Sequence, residues 1–226
     1  GNQHSFIQVL DGKKQTSNYH KFPFADFIAQ PKKLSISIGD NHFSENNLQI
    51  NLSGIRGSLN FSGNVSWPKP WYSPGIMGPF AFVPFMECYH GIVSMDHTIN
   101  GELVIDEKRI NFTNGRGYME KDWGRSFPSA YFWMQSNHFS ETGISIKCSI
   151  AKIPWMRSSF VGFIAGVWLK DRLIRFTTYN QSMLRKSFAD EKEVEIVLEN
   201  NTYFFEILSI RVGSTAFLSP INTFMT

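Results

Sequence analysis

Apolar and polar residues alternate one for one through much of the chain, and a period of two commits those stretches to strands. Leu34, Ile36 and Ile38 alternate with Ser35 and Ser37, and Leu48, Ile50 and Leu52 with Gln49 and Asn51, a habit that Ile55, Leu59 and Phe61 continue across Gly57. Farther on, Ile144, Ile146, Cys148 and Ile150 oppose Ser145, Lys147 and Ser149, and Val194, Ile196 and Leu198 oppose Glu193, Glu195 and Glu199. Successive strand side chains point to opposite faces, so these runs read as half-buried antiparallel strands, apolar face inward and polar face in water. Short polar joints separate them: Gly39-Asp40-Asn41, Asn100-Gly101, Asp106-Glu107-Lys108, Asn114-Gly115, Lys170-Asp171 and Asn200-Asn201, residues suited to tight hairpins. No 3.6-residue apolar stripe of useful length competes with them. The expected class is all-β, with strands spaced as in sandwiches and barrels.

With 226 residues, 42% hydrophobic and 15% aromatic, the chain can bury one large core or two small ones. Similar hairpins on either side of residue 110 place a domain seam there, giving units 1–110 and 111–226. A net charge of +3 with dispersed charges is no footprint for a polyanion, so no nucleic-acid partner is expected. Cys88 and Cys148 have neither CxxC nor Cys/His spacing, so two free thiols and no metal are expected. The apolar stretch Phe160 to Leu169 is interrupted by Gly162 and Gly166 and falls short of the ~18 residues of a membrane-spanning helix. The expected location is the cytoplasm, with peripheral contact to a membrane. That contact would come from Trp67 to Met86, which holds five prolines, several aromatics and Lys69 as its sole charge. Such a stretch is no interior strand; it suits a packed linker, a lid over an apolar cavity, or a loop resting on lipid.

The densest polar and aromatic cluster runs from Gly115 to Pro128. In an extended segment Tyr118, Glu120 and Asp122 project to one side, and Met119, Lys121 and Trp123 to the other. Two carboxylates about 7 Å apart then share a face. If that face is interior each needs a partner or a raised pKa, the condition under which a carboxyl becomes a general acid. The plainer reading is a salt-bridge knot in which Arg116, Lys121 or Arg125 neutralises them. On the next strand Tyr131, Trp133, Gln135 and Asn137 share a face, a mixed aromatic and amide wall that fits either a ligand cavity or an ordinary core. Around residue 90, Glu87 and Tyr89 share one face and Cys88 and His90 the other, which makes Glu87 and His90 secondary binding candidates. No GxSxG, HExxH, P-loop or GxGxxG pattern is present.

The run Gly117-Tyr-Met-Glu-Lys-Asp-Trp-Gly124, with Phe127-Pro128 and then Trp133-Met-Gln-Ser-Asn137, resembles the tocopherol cyclase family, in which a Glu-Lys-Asn/Asp-Trp-Gly segment precedes a Trp-x-Gln-x-Asn strand. His4-Ser-Phe-Ile-Gln8, Pro84-Phe-Met-Glu87 and Ala151-Lys-Ile-Pro154 extend the resemblance over most of the chain. It implies a calycin-like fold of two lipocalin-like antiparallel β-barrel units, in a group related to carotenoid hydratase-like proteins. Family members carry a further strand before His4 and more strands after residue 226, so both ends of this fold are expected to be incomplete here. The implied chemistry is cofactor-free: a prenyl double bond is protonated, and a phenol oxygen of a prenylated quinol captures the tertiary cation to close a chromanol ring. Glu120 or Asp122 would supply the acid, Tyr118, Trp123, Tyr131 and Trp133 the aromatic walls, and Gln135 or Asn137 the hydrogen bonds to the head group. Two alternatives stand beside it: a non-catalytic carrier of a hydrophobic prenyl or polyene ligand, and an olefin hydratase that admits water to the same cation.

Overall fold

The computed structural model describes residues 3–31, 33–84, 86–155, 158–218 and 224–225. In chain order its strands are β1 (His4–Asp11), β2 (Thr16–Pro23), β3 (Phe27–Ala29), β4 (Ser35–Ile38), β5 (Asn41–Ser44), β6 (Asn47–Leu52), β7 (Ile55–Ser62), β8 (Cys88–Ile105), β9 (Lys108–Asn111), β10 (Gly115–Gly124), β11 (Tyr131–Ser136), β12 (Ile144–Trp155), β13 (Ser158–Leu169), β14 (Arg172–Thr177), β15 (Met183–Ala189), β16 (Glu193–Glu199), β17 (Phe204–Ile210), β18 (Phe217–Leu218) and β19 (Phe224–Met225). Among the described residues the helical pieces are two short 3-10 turns, Phe24–Asp26 and Gly78–Phe82. The protein is all-β, as the period-two pattern requires, and no helix among the described residues is long and apolar enough to cross a membrane.

The chain forms two compact units interleaved in sequence: Gly1–Phe61 with Ile99–Asn114 and Ile210–Thr226, and Ser62–Thr98 with Gly115–Ser209. In the first, β1 and β2 form a hairpin registered from His4 opposite Pro23 to Asp11 opposite Thr16. A meander from β3 to β7 continues into the C-terminal half of β8, along which β9 lies. Ile50, Ile55, Leu59 and Leu103 are its buried core. Asp106 and Glu107 adopt positive φ at the β8–β9 turn, as expected there. Asn100-Gly101, expected to be a turn, is not one: β8 runs straight through it. Gly101, at φ +134°, lies so close to β7 that a Cβ would stand 2.4 Å from the Ser58 carbonyl oxygen, and Gly57 makes the reciprocal approach to Glu102. The glycine serves close strand contact, not chain reversal.

The second unit corrects the half-buried picture. Its central sheet, β11–β12–β13–β14, is antiparallel and buried on both faces. On one side Cys148, Ile150, Phe163, Ala165, Val167 and Phe176 pack with Ile196, Leu198 and Ile207 of the β15–β16–β17 sheet. On the other, Ile164, Trp168 and Leu173 meet Trp67, Ile76 and Met77 of the proline-rich segment and Ile92 and Met95 of β8. The Ser145, Lys147, Ser149 face is therefore no wet face: Ser145 and Lys147 are both 0% exposed. Trp67 covers it, seated where Gly166 leaves room, since a Cβ on Gly166 would lie 2.5 Å from the indole. The segment that begins at Trp67 is pinned by this indole and by the Tyr179 hydroxyl, which donates to the Ile76 carbonyl at 2.6 Å. Its middle stays in solvent, with Trp71 87% and Tyr72 61% exposed. Phe85, within this segment, is outside the described residues.

Candidate functional site

All of the site residues discussed below belong to the second unit. The N-terminal half of β8 pairs with β10. Tyr89 stacks on Trp123 with ring centroids 5.6 Å apart, and His90 meets Asp122, so the two strands run antiparallel. Alternation then does what the sequence anticipates. Tyr118, Glu120 and Asp122 lie on one face of β10, whereas Lys121 stands over the Trp123 ring, 5.2 Å from its centre, on the other. The Tyr118 hydroxyl donates to Glu120 Oε2, and His90 Nδ1 hydrogen-bonds Asp122 Oδ1. Burial, then the Glu120 charge, pushes the Tyr118 phenol upward, so that it stays a hydrogen-bond donor.

The neutralising partners differ from those expected. Arg116 turns to Asp96, which is buried: Nε donates to Oδ1 at 3.0 Å and Nη1 reaches Thr98 Oγ1 at 3.1 Å. Glu120 and Asp122 in turn act on a buried lysine that the sequence reading did not single out, Lys147 on β12. Burial lowers the Lys147 pKa to about 8, while the Glu120 and Asp122 charges pull it up. Its Nζ donates to Ser149 Oγ at 2.8 Å. Alternation hid Lys147, because a lysine flanked by Ser145 and Ser149 reads as a solvated face. The signal that points inward lies on the next strand, whose residues opposite Ser145, Lys147 and Ser149 are Trp168, Gly166 and Ile164, with no charge among them.

Cross-strand pairing extends this face onto β11, where Gln135 pairs with Lys147 and Trp133 with Ser149. The Trp133 indole meets the Tyr118 ring edge-on at 6.4 Å. Phe132 and Met134 point the other way, into the Cys148 and Ile150 core. Gln135 Nε2 and Asn137 Nδ2 are buried without a hydrogen-bond acceptor among the described residues. Tyr118 thus links Glu120 of β10 to Trp133 of β11, where Gln135 pairs with Lys147 of β12. Trp123 faces away from the acids, Tyr131 stacks on Phe127 at 6.1 Å, and Glu87 is exposed. Cys148 is buried, which pushes its thiol up to about 12, and Cys88 is also raised, first by burial and then by Asp122 and Glu120, so both are free thiols held in the protonated form.

His90, Glu120 and Asp122 bring their ligating atoms within 4.8 Å of one another, a spacing a divalent ion would accept. Tyr118 and His90 already hydrogen-bond these carboxylates. Chemically the face offers carboxyls, a phenol and an indole beside a buried amine, with unused amide donors.

Comparison with known proteins agrees with these motifs. The family model described as tocopherol cyclase-like matches residues 49–208. A probable chloroplastic tocopherol cyclase of Oryza sativa subsp. japonica is 36% identical over 63 residues, which is 28% of this chain and 13% of the rice protein. The chloroplastic tocopherol cyclase of Zea mays is 36% identical over 62 residues, 27% of this chain and 13% of the maize protein.

Proposed function

The chain belongs to the tocopherol cyclase-like family, and on that premise we propose that it catalyses, without a cofactor, the acid-initiated cyclisation of a prenylated quinol to a chromanol-type ring. The observation carrying this reading is the convergence of Glu120, Tyr118 and Trp133 on one face of the second unit. Glu120 takes up a proton from solvent and passes it to the less substituted carbon of a trisubstituted double bond. The π bond breaks, a C–H bond forms, and a tertiary cation is left. The faces of Trp133 and Tyr118 stabilise that cation. The quinol oxygen then attacks: a C–O bond forms, the O–H bond breaks, and its proton restores the Glu120 carboxyl. Gln135 and Asn137 orient the head group. Barrel closure around such a ligand belongs to the same proposal.

Contact with a lipid surface is its second part. Trp71, Tyr72 and Phe82 are exposed in a segment whose sole charge is Lys69, which suits rings entering the headgroup region of the membrane in which a prenyl substrate dissolves.

Anaerobic incubation of the purified protein with farnesyl-trimethylhydroquinone in D2O tests the reaction. The expected product is a chromanol with one deuterium on the newly protonated carbon. A tertiary alcohol would make the protein a hydratase, and tightly bound, unchanged quinol would make it a carrier.

A further inference from the structure

The amine of Lys147 is completely enclosed, yet among the described residues Ser149 Oγ is the one hydrogen-bond acceptor found for its three donors. Gln135 is its cross-strand neighbour on the same face, and Gln135 Nε2 is buried with no acceptor among the described residues. Buried donors short of acceptors are expensive, and the spare Lys147 donors on the same face as Gln135 Nε2 call for an oxygen there. Trp133, cross-strand from Ser149 and 42% exposed, offers an aromatic surface on the same face.

We infer that Lys147 and Gln135 together hold the phenolic oxygen of an aromatic head group, so that the site selects ligands by an ionisable ring hydroxyl. The inference deepens the cyclase reading and rests on it for the aromatic nature of the ligand. An ammonium beside the oxygen stabilises the negative charge that grows there as the O–H bond weakens, and so raises its nucleophilicity toward the cation. Of the charged groups on the elements packed here, Glu120 and Asp122 of β10 oppose an anion, His90 of β8 pairs with Asp122, and Cys88 and Cys148 remain protonated thiols. Lys147 supplies the cation, mostly charged below about pH 8.

The probe is 2,6-dimethyl-4-nitrophenol, whose phenolate absorbs visible light. Titrated with saturating wild-type protein, the bound phenol is expected to ionise about one pH unit lower than the free one, a tenfold gain in phenolate at fixed pH. Lys147→Met is expected to bind the ring and abolish the gain, whereas Lys147→Arg keeps it. If the Met variant fails to fold, Gln135→Leu is expected to reduce the gain about threefold. The proposal is overturned if the wild type does not bind the probe at millimolar concentration, leaves its ionisation unshifted or raised, or if Lys147→Met or Gln135→Leu keeps the full gain. Chromanol formation with no phenolate gain would remove the head-group assignment alone; phenolate gain with no turnover would remove the cyclase alone.

Discussion

Lys147 is a residue the fold carries at a loss. Its pKa falls from 10.5 to about 8 on burial, a difference on the order of 3 kcal/mol against the charged form. Between about pH 8 and 10.5 the unfolded chain holds a proton that the folded chain does not, so the contribution of this group to stability rises with pH in that window; below pH 8 the full penalty applies. Lys147→Met is therefore expected to be more stable than the parent at pH 7, by roughly 2–3 kcal/mol in urea denaturation, with the advantage shrinking above pH 8. A less stable Met variant at pH 7 would mean that the carboxylates bind the ammonium more tightly than burial penalises it. Asp96 behaves oppositely. It is 1% exposed and held by Arg116 in a two-point contact, so Arg116→Met strands a buried carboxylate, and a loss of about 3 kcal/mol is expected in the same assay. A loss below about 1 kcal/mol would show that water reaches Asp96 once the guanidinium is gone.

At the scale of strands, β8 and β12 mark where sequence pattern stops being informative. Alternation gives the faces correctly on β10 and β11, because each carries a polar set and an apolar set that differ in kind. It gives β12 faces too, but not their surroundings. Ser145 and Lys147 look wet because the partner that dries them, Trp67, lies 78 residues or more away in a proline-rich segment with no strand pattern. The Asn-Gly pair at 100–101 carries a turn signature that tertiary contact overrides, since β7 needs a residue without a side chain at that point. Arg116 reads as a partner for the acids by proximity in sequence, but it sits two residues before Tyr118 on their own face and is taken by Asp96 across the ladder. The Trp67 contact can be probed directly. Gly166→Ala would place a Cβ 2.5 Å from the indole and is expected to destabilise the protein by about 1–3 kcal/mol while changing the near-ultraviolet tryptophan signal. A variant with parental stability and spectrum would show that Trp67 does not close this face.

For the whole molecule, the exposed aromatic tip at Trp71 and Tyr72 is the feature that the proposed lipid contact rests on. Replacing Trp71 and Tyr72 by Ser is expected to weaken co-sedimentation with vesicles by tenfold or more without changing the melting temperature, because both rings lie in solvent. Co-sedimentation equal to the parent's would remove the membrane contact and leave the site untouched. The central claim is that Glu120 is the proton donor, and the most direct measurement is single-turnover chromanol formation by Glu120→Gln beside the parent. The expected result is a rate two to four orders of magnitude lower with quinol affinity and melting temperature nearly unchanged, since the amide keeps the shape and loses the proton. A Gln variant that turns over within a few fold of the parent, or that loses activity only in step with its stability, would contradict it.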